Sequence, residues 1–152
     1  MGRELPDFRI VVLAIFVAGC GREKTKPPPA ADKVAGPTVL AEKPFFRIEP
    51  GPRTPCTAGT PCEARLAFSA LGDYHVNDRY PFKFVAAGAP GIAVDGTGTF
   101  TQDDPKHGMM TIKFRAMKPG AVKLAGTFKL SVCTDDVCEI EEPKLAFEVA
   151  VD

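Results

Sequence analysis

From Phe45 onward the sequence alternates. Ala64, Leu66, Phe68 and Ala70 are separated by Arg65, Ala67 and Ser69, and Met110, Ile112, Phe114 and Ala116 by Thr111, Lys113 and Arg115. Val122 and Leu124 lead into Phe128, Leu130 and Val132, which alternate with Lys129 and Ser131; Leu145, Phe147, Val149 and Val151 alternate with Ala146, Glu148 and Ala150. Successive side chains of a strand point to opposite faces, so a period of two predicts half-buried strands rather than amphipathic helices. Shorter candidates are "FFRI" at 45–48, "YPFKFV" at 80–85, "GIAV" at 91–94 and "GTFT" at 98–101. Turn signals separate them: "EPGPRTP", "AGAPG", "VDGTG", "QDDPKHG" and "KPG". Seven or eight short strands predict an all-β fold, an antiparallel β-sandwich. A domain of about 100 residues can bury a sufficient core without help from disulfides.

The first residues stand apart from that pattern. Ile10 to Ala18, "IVVLAIFVA", is a nine-residue apolar run, far short of the roughly 20 residues that span a bilayer. It ends in "VAGC", Val17 to Cys20. This resembles the lipobox of bacterial lipoproteins, which implies a signal peptide over 1–19, cleavage before Cys20 and a diacylglycerol thioether on Cys20. Several acyl chains anchor stably where one is marginal. The expected partner is therefore a lipid membrane, and the expected place the bacterial cell envelope, facing the periplasm or the cell surface. Residues 20–44 form the lipidated cysteine and a tether. The stretch 21–44 holds five prolines and little hydrophobic periodicity; as a coil its ends would lie about 25–30 Å apart. The folded domain is expected over 45–152.

Charge and motifs remove several function classes. Lys+Arg and Asp+Glu both number 19, so no basic excess points to nucleic acid. His75 and His107 sit in no Ser–His–Asp or Cys–His pattern, and there is no phosphate-cradling glycine motif. The chain carries no hydrolase or transferase signature and no cofactor is expected. "HGMM", His107 to Met110, gives a minor copper-handling reading through His107 and Met109, because thioethers and imidazole suit Cu(I). Met110 falls on the apolar face of its strand and is assigned to the core.

With Cys20 acylated, Cys56, Cys62, Cys133 and Cys138 remain. An even number in an exported chain reads as two disulfides, with three possible connectivities. The x5 and x4 spacings are not the tight pairs of zinc sites, and no metal site is assigned. A Cys56–Cys62 bridge would be a structural clip before the first long strand. A turn at Thr134–Val137 would place Cys133 opposite Cys138, at a separation a disulfide tolerates. Strand parity puts Cys133 with Lys129 and Ser131 on the outer face. Asp135, Asp136, Glu139, Glu141 and Glu142 surround the pair and disfavour a thiolate there.

"GDYHVNDRYPFKF" (72–84) and "GTFKLSVCTDDVCEIEEPKLAFEVAV" (126–151) together resemble the periplasmic N-terminal domain of the thiol:disulfide interchange protein DsbD and its lipoprotein relatives. The resemblance implies an immunoglobulin-like fold and gives Cys133 and Cys138 the role of a redox pair exchanging electrons with a thioredoxin-like partner. The loop between the cysteines is shorter than in the best-known members, and no transmembrane electron donor follows in this chain. The alternative expectation is a non-catalytic binding or structural lipoprotein with two structural disulfides.

Overall fold

The computed structural model describes residues 38–152. The expected signal peptide, Cys20 and most of the tether lie outside the described residues. The described residues form ten strands: β1 (Ala41–Lys43), β2 (Phe46–Pro50), β3 (Pro61–Ala70), β4 (His75–Val76), β5 (Lys83–Ala86), β6 (Ile92–Gln102), β7 (His107–Ala116), β8 (Gly120–Cys133), β9 (Cys138–Glu141) and β10 (Lys144–Val151). They form an antiparallel, immunoglobulin-like β-sandwich. One sheet has the order β1-β2-β3-β7-β6. The other is built on β8, with β10 and β9 along one edge and β5 and β4 along the other.

The alternation sets which faces meet. Leu66, Phe68, Met110 and Ile112 of the first sheet, and Phe84, Phe128, Leu130 and Val132 of the second, are fully buried in one core. The Phe68 ring meets those of Phe46, Phe82, Phe100 and Phe128 at centroid distances of 5.6–6.3 Å, within the range aromatic pairs prefer. Truncating Phe68 or Phe128 to Ala would cost about 3–5 kcal/mol through lost burial and the cavity left behind.

Four departures from the expected elements have physical causes. "GIAV" and "GTFT" are not two strands around a turn: they are the halves of β6, whose pairing with β7 shifts register between Asp95 and Thr99. Gly96 (φ 67°) and Gly98 (φ 74°) adopt left-handed conformations that bulge the strand instead of reversing it. A Cβ on Gly98 would sit 2.6 Å from Met110 Sδ, so no larger residue fits. Strand β5 begins at Lys83, not Tyr80; Pro81 has no N–H to give a ladder, and Tyr80 N instead donates to Asn77 O. Strand β1 lies within the expected tether, where Ala41–Lys43 pair with Phe46–Ile48. The two-residue β4 was too short to show a period.

The last three strands are one hairpin. Cys133 faces Cys138, Leu130 faces Glu141 and Thr127 faces Lys144, so a single register runs through β9 and β10. The ladder is interrupted only at Glu142–Pro143, where proline cannot donate, and Phe128 N still reaches Pro143 O at 3.0 Å.

Candidate functional site

Both expected disulfides are present, Cys56–Cys62 and Cys133–Cys138, which selects one of the three connectivities. The second sits at the tip of the β8–β9 hairpin. Thr134 N donates to Val137 O at 2.8 Å, and Thr134 Oγ1 accepts from the N–H groups of Asp136 (3.3 Å) and Val137 (3.2 Å). The hydroxyl thus satisfies turn amides that the ladder leaves unpaired. Pairing alternates along an antiparallel ladder, so next to the Thr134–Val137 bond Cys133 and Cys138 form a non-hydrogen-bonded pair, where side chains approach most closely.

The parity expected for Cys133 holds, but the accessibility does not follow from it. Leu130 and Val132 belong to the core and Cys133 does not, so Cys133 lies on the outer face. It is nevertheless only 7% exposed. Here β8 is flanked on both edges, by β4 and by β9, and the neighbouring outer residue Ser131 is fully buried under Asn77, whose Nδ2 donates to Ser131 Oγ at 3.1 Å. Cys138 is exposed. The two sulfurs of one bond therefore differ in access. Val137 and Ile140, two of the large apolar side chains open to solvent (47% and 62%), flank Cys138 on either side.

The acidic surround is smaller than the sequence implies. Glu141 pairs with Lys43 Nζ at 2.5 Å and Glu142 with Lys129 Nζ at 3.0 Å; the hydrogen bond and charge of Glu142 hold the Lys129 ammonium above its ordinary range. Among the described residues, Asp135, Asp136 and Glu139 have no cationic side chain within 4.0 Å. His75, which stands in no catalytic pattern in the sequence, joins the site: on β4, it is the direct cross-strand partner of Cys133. Its only sequence signal was "YHVN", too short to be placed on a strand.

Cys56 and Cys62 are each 3% exposed and belong to the core. Their ring is tied to both sheets: Gly59 N donates to Ala116 O, Ala58 N to Asp152 O, and Asp152 N to Cys56 O. His107 and Met109 share the outer face of β7, while Met110 is fully buried as expected. His107 Nδ1 lies 2.9 Å from Asp104 Oδ2. That contact first, and then the backbone N–H of Lys106, hold the Asp104 carboxyl below its ordinary value. Met109 Sδ packs against Gly51, 3.0 Å from where a Cβ there would be. Among the described residues, no three His, Cys, Asp or Glu side chains are grouped to hold a metal ion. A groove of about 710 Å³ opens between the β2–β3 pair and β10, lined by Leu40, Pro50, Arg65, Phe147 and Val149.

No family model and no curated protein matches the sequence. Among solved structures, the chain is similar to the GAE domain of yeast GGA1, with 12% identity and a TM-score of 0.45 over 74% of this chain and 98% of that one. It is also similar to the GAE domain of GGA2p from Saccharomyces cerevisiae, with 11% identity and a TM-score of 0.47 over 74% of this chain and 97% of that one. Likeness at this level says nothing of what the chain binds or does.

Proposed function

We propose that the chain is a membrane-anchored extracytoplasmic lipoprotein whose domain, like the DsbD N-terminal domain it resembles, exchanges thiol and disulfide equivalents with a thioredoxin-like partner through Cys133 and Cys138. The observation that carries this reading is the exposed Cys138, flanked by exposed Val137 and Ile140, on a bond outside the core. A partner thiolate attacks Cys138 Sγ; the Cys138–Cys133 bond breaks as the mixed disulfide forms, and the electron pair leaves on Cys133. The partner's second thiolate then attacks the partner sulfur of the mixed disulfide and releases Cys138. Two electrons pass to the domain, both cysteines take up protons, and the partner becomes a disulfide. Asp135, Asp136 and Glu139 favour a partner with a cationic rim and repel glutathione.

Incubation of the oxidised protein with reduced thioredoxin or with glutathione, followed by alkylation and peptide mapping, tests the reading. Cys133 and Cys138 should be labelled before Cys56 and Cys62, and faster with thioredoxin. Labelling of Cys56 and Cys62 first, or none with thioredoxin, ends the exchange reading. The anchor is tested separately: mass spectrometry of the membrane fraction should find acylated Cys20 as the first residue.

The second reading, a non-catalytic binding lipoprotein, is favoured by the groove between the β2–β3 pair and β10. It predicts that replacing both Cys133 and Cys138 by Ala leaves the protein's role in its cell intact.

A further inference from the structure

Attack at Cys138 leaves a charge where the protein least favours it. Cys133 is 7% exposed, and burial disfavours a thiolate, as do the carboxylates of the adjoining turn. A leaving thiolate departs faster the better it is stabilised, so exchange at this bond calls for a cation or proton donor beside Cys133.

The geometry points to His75 as that group. His75 and Cys133 are directly paired across β4 and β8, and Cys133 is paired with Cys138 across β8 and β9. Imidazole, buried sulfur and exposed sulfur therefore form one row across three strands. All three lie on the outer face: Val76 and Val132, their chain neighbours, point into the core, and successive side chains alternate. Directly opposed residues have Cβ atoms about 4.5–5.5 Å apart. The next row on the same face shows that side chains here touch, since Asn77 Nδ2 donates to Ser131 Oγ at 3.1 Å. His75 is half-buried, open enough to exchange its proton with solvent.

The role rests on the exchange reading above. As the Cys133–Cys138 bond breaks, the electron pair moves to Cys133 Sγ; protonated His75 stabilises that anion and passes it the proton, ending neutral. In the reverse direction neutral His75 takes the proton from Cys133. The other charged or titratable groups at this end are Asp73 beside β4, Asp78 and Arg79 just after it, Lys106, whose Nζ donates to the Gly72 and Tyr74 carbonyls, Asp103 and Asp104 of the β6–β7 turn with His107 on Asp104, Asp135 and Asp136 of the hairpin tip, Glu139 on β9, and Lys129 further along the outer face of β8. Among the charged and titratable groups at this end, only His75 is the cross-strand partner of Cys133.

The test follows opening of the Cys133–Cys138 bond by dithiothreitol between pH 5 and 8, in the wild type, His75→Gln and His75→Lys, with circular dichroism checking the fold. The ratio of wild-type to variant rate removes the reductant's own titration. For His75→Gln the ratio should rise as pH falls, reaching roughly tenfold at pH 5–6, whereas His75→Lys should keep most of the rate. Equal rates for all three, or a ratio independent of pH, overturn the role. A second measurement checks it again: in the reduced proteins, Cys133 should alkylate at a lower pH in the wild type than in His75→Gln, and the same onset in both overturns it. The exchange reading can fail separately, if thioredoxin does not open a bond whose reduction by dithiothreitol depends on His75.

Discussion

The two disulfides close rings of nearly equal size, with sequence separations of 6 and 5, at opposite ends of β8. Loop closure alone assigns each about 2 kcal/mol. Their surroundings differ. The Cys56–Cys62 ring is in the core and hydrogen-bonds Ala116, at the end of β7 in one sheet, and Asp152, which follows β10 in the other. The Cys133–Cys138 ring hydrogen-bonds within its own turn and presents one sulfur to solvent. A cysteine spacing does not separate a staple from a switch. What the ring holds besides itself does.

The largest expected difference is in stability. Replacing Cys56 and Cys62 together by Ala should cost about 3–4 kcal/mol, because lost loop constraint adds to lost core volume and to freed hydrogen bonds between the sheets. The melting temperature should fall by roughly 10–15 °C. The same double replacement at Cys133 and Cys138 should cost about 2 kcal/mol or less. Calorimetry of the two variants decides, and equal losses would erase the distinction.

That contrast also shows where the sequence is legible. The long strands β3, β7, β8 and β10 are readable because each runs for several periods with Leu, Ile or Phe on one face only. The hairpin pairing of Cys133 with Cys138 is readable because the turn is short and flanked by strands of known parity. Accessibility is not. Cys133 is buried by β4, a strand of two residues, and by β9, and nothing in a pattern of period two reveals how many neighbours an outer face acquires. For the same reason His75 reads as a loop histidine until β4 is placed beside Cys133. At β6 the pattern is ambiguous: two left-handed glycines mark a turn and a bulge equally well, and the long-range pairing with β7 decides. Strand β1 carries no apolar alternation of its own; its order comes from pairing with β2.

A middle-sized effect is expected at the exposed sulfur's rim. Ile140 lies two residues from Cys138 on the same face of β9 and is 62% exposed. Ile140→Ser should leave stability within about 0.5 kcal/mol. It should slow reduction by thioredoxin about fivefold, the loss of roughly 1 kcal/mol of contact energy, and leave reduction by dithiothreitol unchanged. A small reductant needs no docking surface and a protein does. Equal slowing of both would place Ile140's effect on the bond itself and remove it from an interface.

The smallest expected effect lies in the β6–β7 turn, whose Pro105 O accepts from Val76 N beside the His75–Cys133 row. Asp104 Oδ1 accepts from the N–H groups of Lys106 (2.7 Å) and His107 (2.9 Å), and the carboxylate meets His107 Nδ1. These contacts, the His107 side chain foremost, hold the carboxyl below its ordinary value of 3.8. A carboxyl lowered in the folded state contributes stability above its unfolded pKa and loses it as pH falls through the folded one. Asp104→Asn should therefore lower the melting temperature by no more than about 2 °C at neutral pH, since the group is on the surface and screened. The difference should shrink as pH falls below about 4 and through the lowered folded pKa, where the carboxyl becomes neutral like the amide, and it should weaken in high salt. Melting curves of the two proteins across that range check the sign. A gap that does not shrink on acidification, or one comparable to the loss at Cys56–Cys62, would mean that Asp104 holds the Cys133 end together through its hydrogen bonds to the turn rather than its charge, and that the two ends differ less in anchorage than their cysteines do.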